Sequence, residues 1–416
     1  MNKIISYREI LQISIPLIIA SFSYSAIGAT DTFFLGRAGD TSYLAAIGLI
    51  APFYLIVSLV SLALARGGQI MIARRLGSGR LEEIGVIARN MFYFELALAG
   101  VVFIALNWFG YYFLSTFIDN PKLLALSLDY LEFRVWGVFF GCAGAAFITL
   151  YTGVARTKII IISSIVLATA NIVLNYGLIF GHLGLPEMGM KGAGLASAIA
   201  EVFALLTFVI FAIRDKTSQA YKLFKRTKID IAQIKDQMSL SIPIALQSFL
   251  SLLGWVVFFG LVENLGEEPL AVSSIMRVIY LFLGAIGWGI GSGTNTIISV
   301  LMGQKNYDAV MPTLHRITIL SVALSTLAGL LLVIFPSLTI QLITDDASII
   351  AATTPMMPML FVLLINVAIY TIYFNGIIGM GDIRRVIWIT FWGLSFYIFY
   401  MNIMIRVLEW NLYWAW

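Results

Sequence analysis

Charge is scarce in this chain, and the residues that carry metal or thiol chemistry are nearly absent. Only 12% of its 416 residues are Asp, Glu, Lys or Arg, about half the ~25% of an ordinary soluble domain. A water-soluble surface cannot be covered at that density, whereas helices facing lipid need no charge. The single cysteine, Cys142, excludes an intrachain disulfide. His182 and His315 lie far apart in sequence, which argues against a zinc site or a Cys/His nucleophile pair. Met1 to Glu9 is short and polar, and the apolar run from Leu11 continues for a full span, so the first helix is expected to stay in the mature protein. No catalytic constellation is left, and the expectation is a protein that is not an enzyme and needs no cofactor.

What the chain does have is hydrophobicity, at 60% of residues. Apolar runs fall at about 10–36, 44–73, 86–106, 123–153, 159–181, 192–213, 237–262, 270–302, 312–335, 347–379 and 386–408, each long enough to cross a bilayer at about 20 residues per span. The runs are continuous rather than alternating, which excludes a β-barrel. An all-α integral membrane protein with eleven candidate spans is the expectation.

Most of the 26 Lys and Arg fall in segments that share one side. Placing the N-terminus in the cytoplasm puts Arg74, Arg75 and Arg80, Arg156 and Lys158, and the basic stretch 214–235 inside, and leaves only Arg37, Lys122, Lys191 and Arg406 outside. By the positive-inside rule this fixes the orientation. The net charge of +4 is then a topology signal rather than a nucleic-acid one, and the stretch 214–235 is expected to be a cytoplasmic connector lying along anionic lipid.

On either side of that connector the sequence repeats. Ile13-Ser-Ile-Pro16 matches Leu240-Ser-Ile-Pro243, Tyr54-Leu55 matches Tyr280-Leu281, Leu76-Gly77 matches Met302-Gly303, and Tyr151-Thr-Gly153 lies opposite Phe374-Asn-Gly376. The repeat covers six spans, so both copies have the same orientation, as in transporters built from parallel lobes. The expected division is an N-terminal lobe over 1–213 with six helices, the connector 214–235, and a C-terminal lobe over 236–416. The sixth helix of the second lobe would begin where the chain stops, so the twelfth helix is expected to be missing and the record cut short. Trp410, Trp414 and Trp416 read as an aromatic belt on the outer side. Pro16 and Pro243 are expected to bend the first helix of each lobe.

Ionisable residues within the runs are Asp31, Arg66, Glu95, Arg134, Glu201 and Arg277, and each is costly at membrane depth. Arg134 beside Glu132 reads as a snorkelling pair, and Arg66 and Arg277 as answers to carboxylates on neighbouring helices. Asp31 has polar company at its own depth. At 1.5 Å per residue it lies ~30 Å from Leu11, while Asn175 lies ~24 Å from Ile159 and Ser197 ~7 Å below the outer face. Asn171 shares a helix face with Asn175. Two readings stand side by side: an oxygen cage for Na⁺ or a nest around a proton on Asp31, and an interfacial Asp with an Asn pair as interhelical glue.

Taken in order, Ser14-Ile-Pro16, Asp31-Thr-Phe-Phe-Leu-Gly36, Leu76-Gly77-Ser-Gly79, Asn171-Ile-Val-Leu-Asn-Tyr-Gly-Leu-Ile-Phe-Gly181 and Gly189-Met-Lys-Gly-Ala-Gly-Leu-Ala-Ser197 resemble the multidrug and toxic compound extrusion (MATE) family. The resemblance runs through the whole chain and is nearest to the DinF-like branch. It implies two six-helix lobes and a secondary antiporter of the plasma (inner) membrane, a monomer, that exports organic, often cationic, amphipathic compounds against H⁺ or Na⁺. It also implies a coupling site in the N-lobe, carried by Asp31, Asn171 and Ser197. The branch's second acid is absent, because Asn175 stands there, so Na⁺ at Asp31, Asn171 and Asn175 rests on one carboxylate. Glu201, one turn beyond Ser197, is the candidate for the missing charge. A substrate cavity between the lobes would take Gln69 and Asn295, which are repeat mates, and Trp288 for cation–π contact. A lipid-linked oligosaccharide flippase of related architecture is the alternative, and would be expected to line its cavity with several cations. The glycines of Gly287-Trp-Gly-Ile-Gly291-Ser-Gly293 read as close helix packing, since no strand precedes them.

Overall fold

The structure is a computed structural model and describes residues 5–225, 229–407, 412–414 and 416, with the side chains of 23–27, 406, 407 and 414 left out. Lys3, Arg226, Lys228 and Trp410, and the side chains of Arg406 and Trp414, therefore lie outside the described residues. Among the described residues there is no strand. The helices are α1 (Tyr7–Leu35), α2 (Thr41–Gly77), α3 (Leu81–Ser115), α4 (Pro121–Arg134), α5 (Gly137–Gly153), α6 (Lys158–Phe180), α7 (Gly189–Arg214) and α8 (Lys216–Ala220). After the connector come α9 (Ile231–Glu263), α10 (Glu267–Gly303), α11 (Val310–Ile334), α12 (Pro336–Gln341), α13 (Ala347–Thr353), α14 (Met357–Met380) and α15 (Ile383–Asn402).

Among the described residues, nine of these helical segments are long and apolar enough to cross a membrane, and the pair α4–α5 makes a tenth. Helix α1, with 29 residues, covers the first apolar run. The run at 123–153 differs from the single span expected, because α4 and α5 meet at a bend of 55°. A Cβ at Gly137 would sit 2.3 Å from Arg134 Nη1 and 2.6 Å from Glu201 Oε2. The chain turns there around a buried ion pair, and only glycine leaves the room.

Duplication is visible in the elements. Helices α2 and α10 each have 37 residues, and both begin and end 226 positions apart. Their successors are capped at matched places: Asn120 accepts from the backbone of Lys122 at the start of α4, and Asp346 accepts from Ser348 at the start of α13. Such side-chain caps satisfy backbone donors that the first turn leaves without partners.

Two compact units result, one of Met1–Ile18 with Ile242–Trp416, the other of Ile19–Ser241. The boundaries fall inside α1 and α9, close to Pro16 and Pro243, rather than in the basic stretch 214–235. Small residues explain the grouping. In one unit a Cβ at Gly67 would lie 2.3 Å from Ser241 Oγ, and the Gly67 amide donates to that oxygen at 3.1 Å. In the other, a Cβ at Gly293 would lie 2.8 Å from Ser14 Oγ, and one at Gly289 2.6 Å from Ile18. Gly67 and Gly293 are repeat mates, as are Ser14 and Ser241. The start of α1 thus packs on α10, and the start of α9 on α2. The glycine run 287–293 serves this close packing.

Part of the connector is docked on α3. Arg89 of α3 donates to the Lys222 carbonyl at 2.6 Å and the Leu223 carbonyl at 3.1 Å, and Gly85 admits the Tyr221 carbonyl, which a Cβ would meet at 1.9 Å. Within the other unit, Trp416 packs edge-on against Phe258 at 5.1 Å and donates from Nε1 to Ser273 at 3.1 Å. It is docked rather than displayed as a belt residue.

Candidate functional site

In the Ile19–Ser241 unit, four helices bring short polar side chains to one point. Asp31 stands one turn before the end of α1 and is 2% exposed. Asn171 and Asn175, a turn apart on α6, are both fully buried, as is Ser197 on α7. Side chains this short touch only if the backbones are close, and glycine provides that. A Cβ at Gly192 would lie 2.5 Å from the Leu178 carbonyl, which sets α7 against α6. One at Gly194 would lie 2.3 Å from the Tyr130 carbonyl, which sets α7 against α4.

Asp31 is surrounded by donors. Its Oδ1 accepts from Asn175 Nδ2 at 2.7 Å and Asn171 Nδ2 at 3.1 Å, and its Oδ2 from Ser197 Oγ at 2.8 Å and Tyr130 OH at 3.2 Å. Asn171 Nδ2 also lies 2.9 Å from Ser197 Oγ, and Asn171 Oδ1 accepts from Asn175 at 3.3 Å. Asn175 Oδ1 is buried with no hydrogen-bond partner. One turn further toward the end of α1 from Asp31, toward the end of α6 from Asn175 and toward the start of α7 from Ser197 stand Leu35, Ile179 and Ala193, all members of one buried apolar cluster. This apolar layer lies between the polar group and those ends of the helices.

The four expected residues Asp31, Asn171, Asn175 and Ser197 therefore do come together. Their arrangement departs from the Na⁺ cage in one respect: both amides turn nitrogen, not oxygen, toward Asp31. A lone carboxylate attracts donors, and a cation cage needs inward oxygens. Among the described residues, no group of three or more His, Cys, Asp or Glu is placed to hold a metal.

Glu201 does not join the group as the missing acid. It is bound by Arg134, Nη2 to Oε1 at 2.6 Å and Nη1 to Oε2 at 2.9 Å. The Arg134 guanidinium carbon also lies 3.5 Å from the Tyr54 ring centroid. A buried arginine needs a counter-ion, and the two-pronged carboxylate supplies it. The expected Arg134–Glu132 pair is replaced accordingly, since Glu132 meets Lys191 at 2.9 Å. Arg277 lies over the Phe259 ring at 4.6 Å. Tyr130 was not anticipated; a hydroxyl one turn before a buried arginine, at the depth of Asp31, was the available signal.

The substrate-cavity expectations fare differently. Gln69 and Asn295 are 4% and 1% exposed and present no open wall in this structure. The glycines beside them draw the helices close: a Cβ at Gly291 would meet Asn375 Nδ2 at 2.8 Å. Trp288 is 38% exposed, edge-on to Tyr280 at 5.9 Å.

The solved structures that this duplicated, helical chain is similar to share its fold. One is a MOP-superfamily transporter from Pyrococcus furiosus, for which reversed polarity of the binding pocket suggests a different function; identity is 17% and the TM-score 0.87, over 98% of this chain and 90% of that one. Another is an outward-facing multidrug-resistance MATE transporter of the MOP superfamily, at 17% identity, TM-score 0.86 and the same coverage. A third is a MATE protein in its bent conformation, at 17% identity, TM-score 0.88 and again 98% and 90%. The chain belongs to the MatE family, whose model matches it twice, over residues 16–177 and 243–403. It is thus a multi-pass membrane transporter of the multidrug-efflux family, not an enzyme. Both matches begin at the repeated prolines, Pro16 and Pro243.

Proposed function

We infer that the protein is a proton-coupled antiporter that exports organic, cationic amphipathic compounds by alternating access, with Asp31 as the coupling residue, in the manner of the DinF-like branch. One observation carries the reading: a single buried carboxylate held by four donors, two of them hydroxyls. Hydroxyls rotate and can accept as readily as they donate. When Asp31 takes a proton, Ser197 or Tyr130 can reverse its bond without moving a heavy atom. Na⁺ would require both amides to turn over.

In this cycle the outward-facing state takes a proton on Asp31. The four-way grip on the carboxylate then loosens, α1 shifts against α4, α6 and α7, and the drug leaves. Proton and drug must favour different states, because a ligand with equal affinity for both shifts nothing. The protein would act as a monomer in the cytoplasmic membrane with its N-terminus inside. A flippase for polyanionic lipid is less well supported, since Arg134 is already neutralised by Glu201.

The test is dye efflux from proteoliposomes with pH and Na⁺ gradients imposed separately. Wild type should respond to the pH gradient, and Asp31→Asn should lose that response while inserting normally. Asn175→Asp, which restores a second acid, should gain Na⁺ dependence. Efflux by Asp31→Asn that still follows the pH gradient refutes the assignment.

A further inference from the structure

The Ile19–Ser241 unit holds another buried acid that the Asp31 site does not use. Glu95, on α3, has zero exposure. It lies 14 residues from the cytoplasmic start of its helix, ~21 Å along the axis, whereas Asp31 is one turn from the outer end of α1. Ser61 of α2 donates to Oε2 at 2.7 Å. Oε1 is buried with no hydrogen-bond partner.

The charged and titratable groups facing this point come from every helix packed around it. From α2 there is Tyr54, two turns from Ser61; from α5, Cys142, which shares an apolar cluster with Tyr54 and with Ala99, one turn beyond Glu95. Further along, beside Tyr54, α4 and α7 carry Arg134 and Glu201, which are bound to each other. No Lys, Arg or His among the described residues pairs with Glu95. A charge at such a place would have one hydroxyl and no counter-ion, which apolar surroundings penalise heavily. The acid form has no such defect, and its O–H is the only donor it brings.

We propose that Glu95, with Ser61, is a second proton-binding site in this unit, separated from Asp31 by the Arg134–Glu201 pair. The separation follows from the contacts. Asp31 meets Tyr130; one turn along α4 is Arg134, held by Glu201 under the Tyr54 ring; two turns along α2 from Tyr54 is Ser61. Arg134 keeps its proton and holds both Glu201 oxygens, so the pair does not relay a proton directly from one acid to the other, and each acid exchanges with its own side of the membrane. The role in transport rests on the proton-coupled reading above, but proton binding at Glu95 does not.

Infrared difference spectroscopy tests it, on the full chain in lipid nanodiscs titrated from acid to alkaline buffer, comparing wild type, Glu95→Gln, Glu95→Asp and Asp31→Asn. Glutamine keeps the bond to Ser61 but cannot titrate. A carboxylic C=O signal should disappear on titrating wild type, be lost in Glu95→Gln, shift in Glu95→Asp and persist in Asp31→Asn. An unchanged difference spectrum in Glu95→Gln overturns the proposal, and so does a Glu95 signal that persists at every pH, since that marks a permanently neutral structural acid. If the glutamine variant does not fold, an unshifted signal in Glu95→Asp overturns it equally. A titrating signal that vanishes only in Asp31→Asn defeats the Glu95 site and leaves the coupling assignment standing. Conversely, pH-driven efflux retained by Asp31→Asn defeats the coupling assignment and leaves the infrared result on Glu95 intact.

Discussion

Arg134 and Glu201 are each other's counter-ions at their depth. Removing one member leaves the other buried and uncompensated, at a cost of ~3–5 kcal/mol, whereas replacing both with apolar groups is often close to neutral. Arg134→Met should therefore lower the melting temperature in detergent well below that of Arg134→Met/Glu201→Met; equal melting of the two would refute the pairing. A second residue-scale prediction concerns pH. Asp215 caps α8, accepting from Ser218 N at 3.0 Å and Ser218 Oγ at 2.8 Å, and pairs with Arg156. Burial works to raise its pKa, but the Arg156 and Ser218 hydrogen bonds outweigh it and hold the carboxyl at about 2, against 3.8 for a free one. A depressed acid stabilises the fold above its unfolded pKa and ceases to do so as pH falls through its folded one. The melting temperatures of wild type and Asp215→Asn should thus differ at about pH 6 and converge between about pH 4 and about pH 2.

The polar cluster was legible at this scale because depth along a helix can be counted. Asp31, Asn175 and Ser197 could be matched by rise, and Asn171 by the helix face it shares with Asn175. The partners of Arg134 could not, because rise gives depth but not azimuth: Glu132 is near in sequence, yet the helix directs it to Lys191. Amide orientation was equally hidden, since composition does not say which end of an asparagine faces a carboxylate.

At the scale of elements, hydrophobic length and turn residues set the helices, and the apolar runs correspond to helices found. The exception is informative. The bend between α4 and α5 has no proline at the break, and its cause is a long-range ion pair that a local pattern does not contain. Glycine is the other element-scale signal. The run at 287–293 was read as packing before its partners were known, whereas Gly67, a lone repeat mate, was not singled out. Gly67→Ala places a Cβ within 2.4 Å of both Ser241 Oγ and the Gln237 carbonyl, and backbone moves less readily than a side-chain tip. Overpacking of this kind costs ~1–3 kcal/mol. Gly67→Ala should melt lower than Gly293→Ala, whose nearest neighbour is only the Ser14 hydroxyl; the reverse order would contradict the described contact.

For the whole molecule, orientation is the feature most open to direct measurement. The sole cysteine is buried, so a Cys142→Ala background gives a clean surface for labelling. In right-side-out vesicles, a membrane-impermeant maleimide should label Glu187→Cys, in the loop before α7, and leave Lys225→Cys, in the basic connector, unlabelled until the vesicles are opened. Labelling in the opposite sense would reverse the topology that the Lys and Arg distribution dictates. The duplication was legible for a similar reason: it rests on repeated motifs in fixed order, and the family model finds the same two copies. What sequence could not reveal is that the start of α1, before the first copy, belongs to the compact unit that holds the second.

That mismatch bears on how the chain is made. The residues up to Ile18 belong with Ile242–Trp416, so a segment made early packs on helices made much later. At about 5–20 residues per second, the start of α1 waits on the order of tens of seconds for α10. During that interval Ile10 lacks the cluster of Ile290, Ile297 and Leu314 that later buries it. A fragment ending at the basic connector would never acquire that cluster, and would also lack the α9 residues Gln237 and Ser241 that seat on Gly67. Assembly is in this sense a closing stitch: the unit that opens with α1 is not complete until α10 and its neighbours have been made, and quality control in the membrane has to tolerate an unfinished first helix until then.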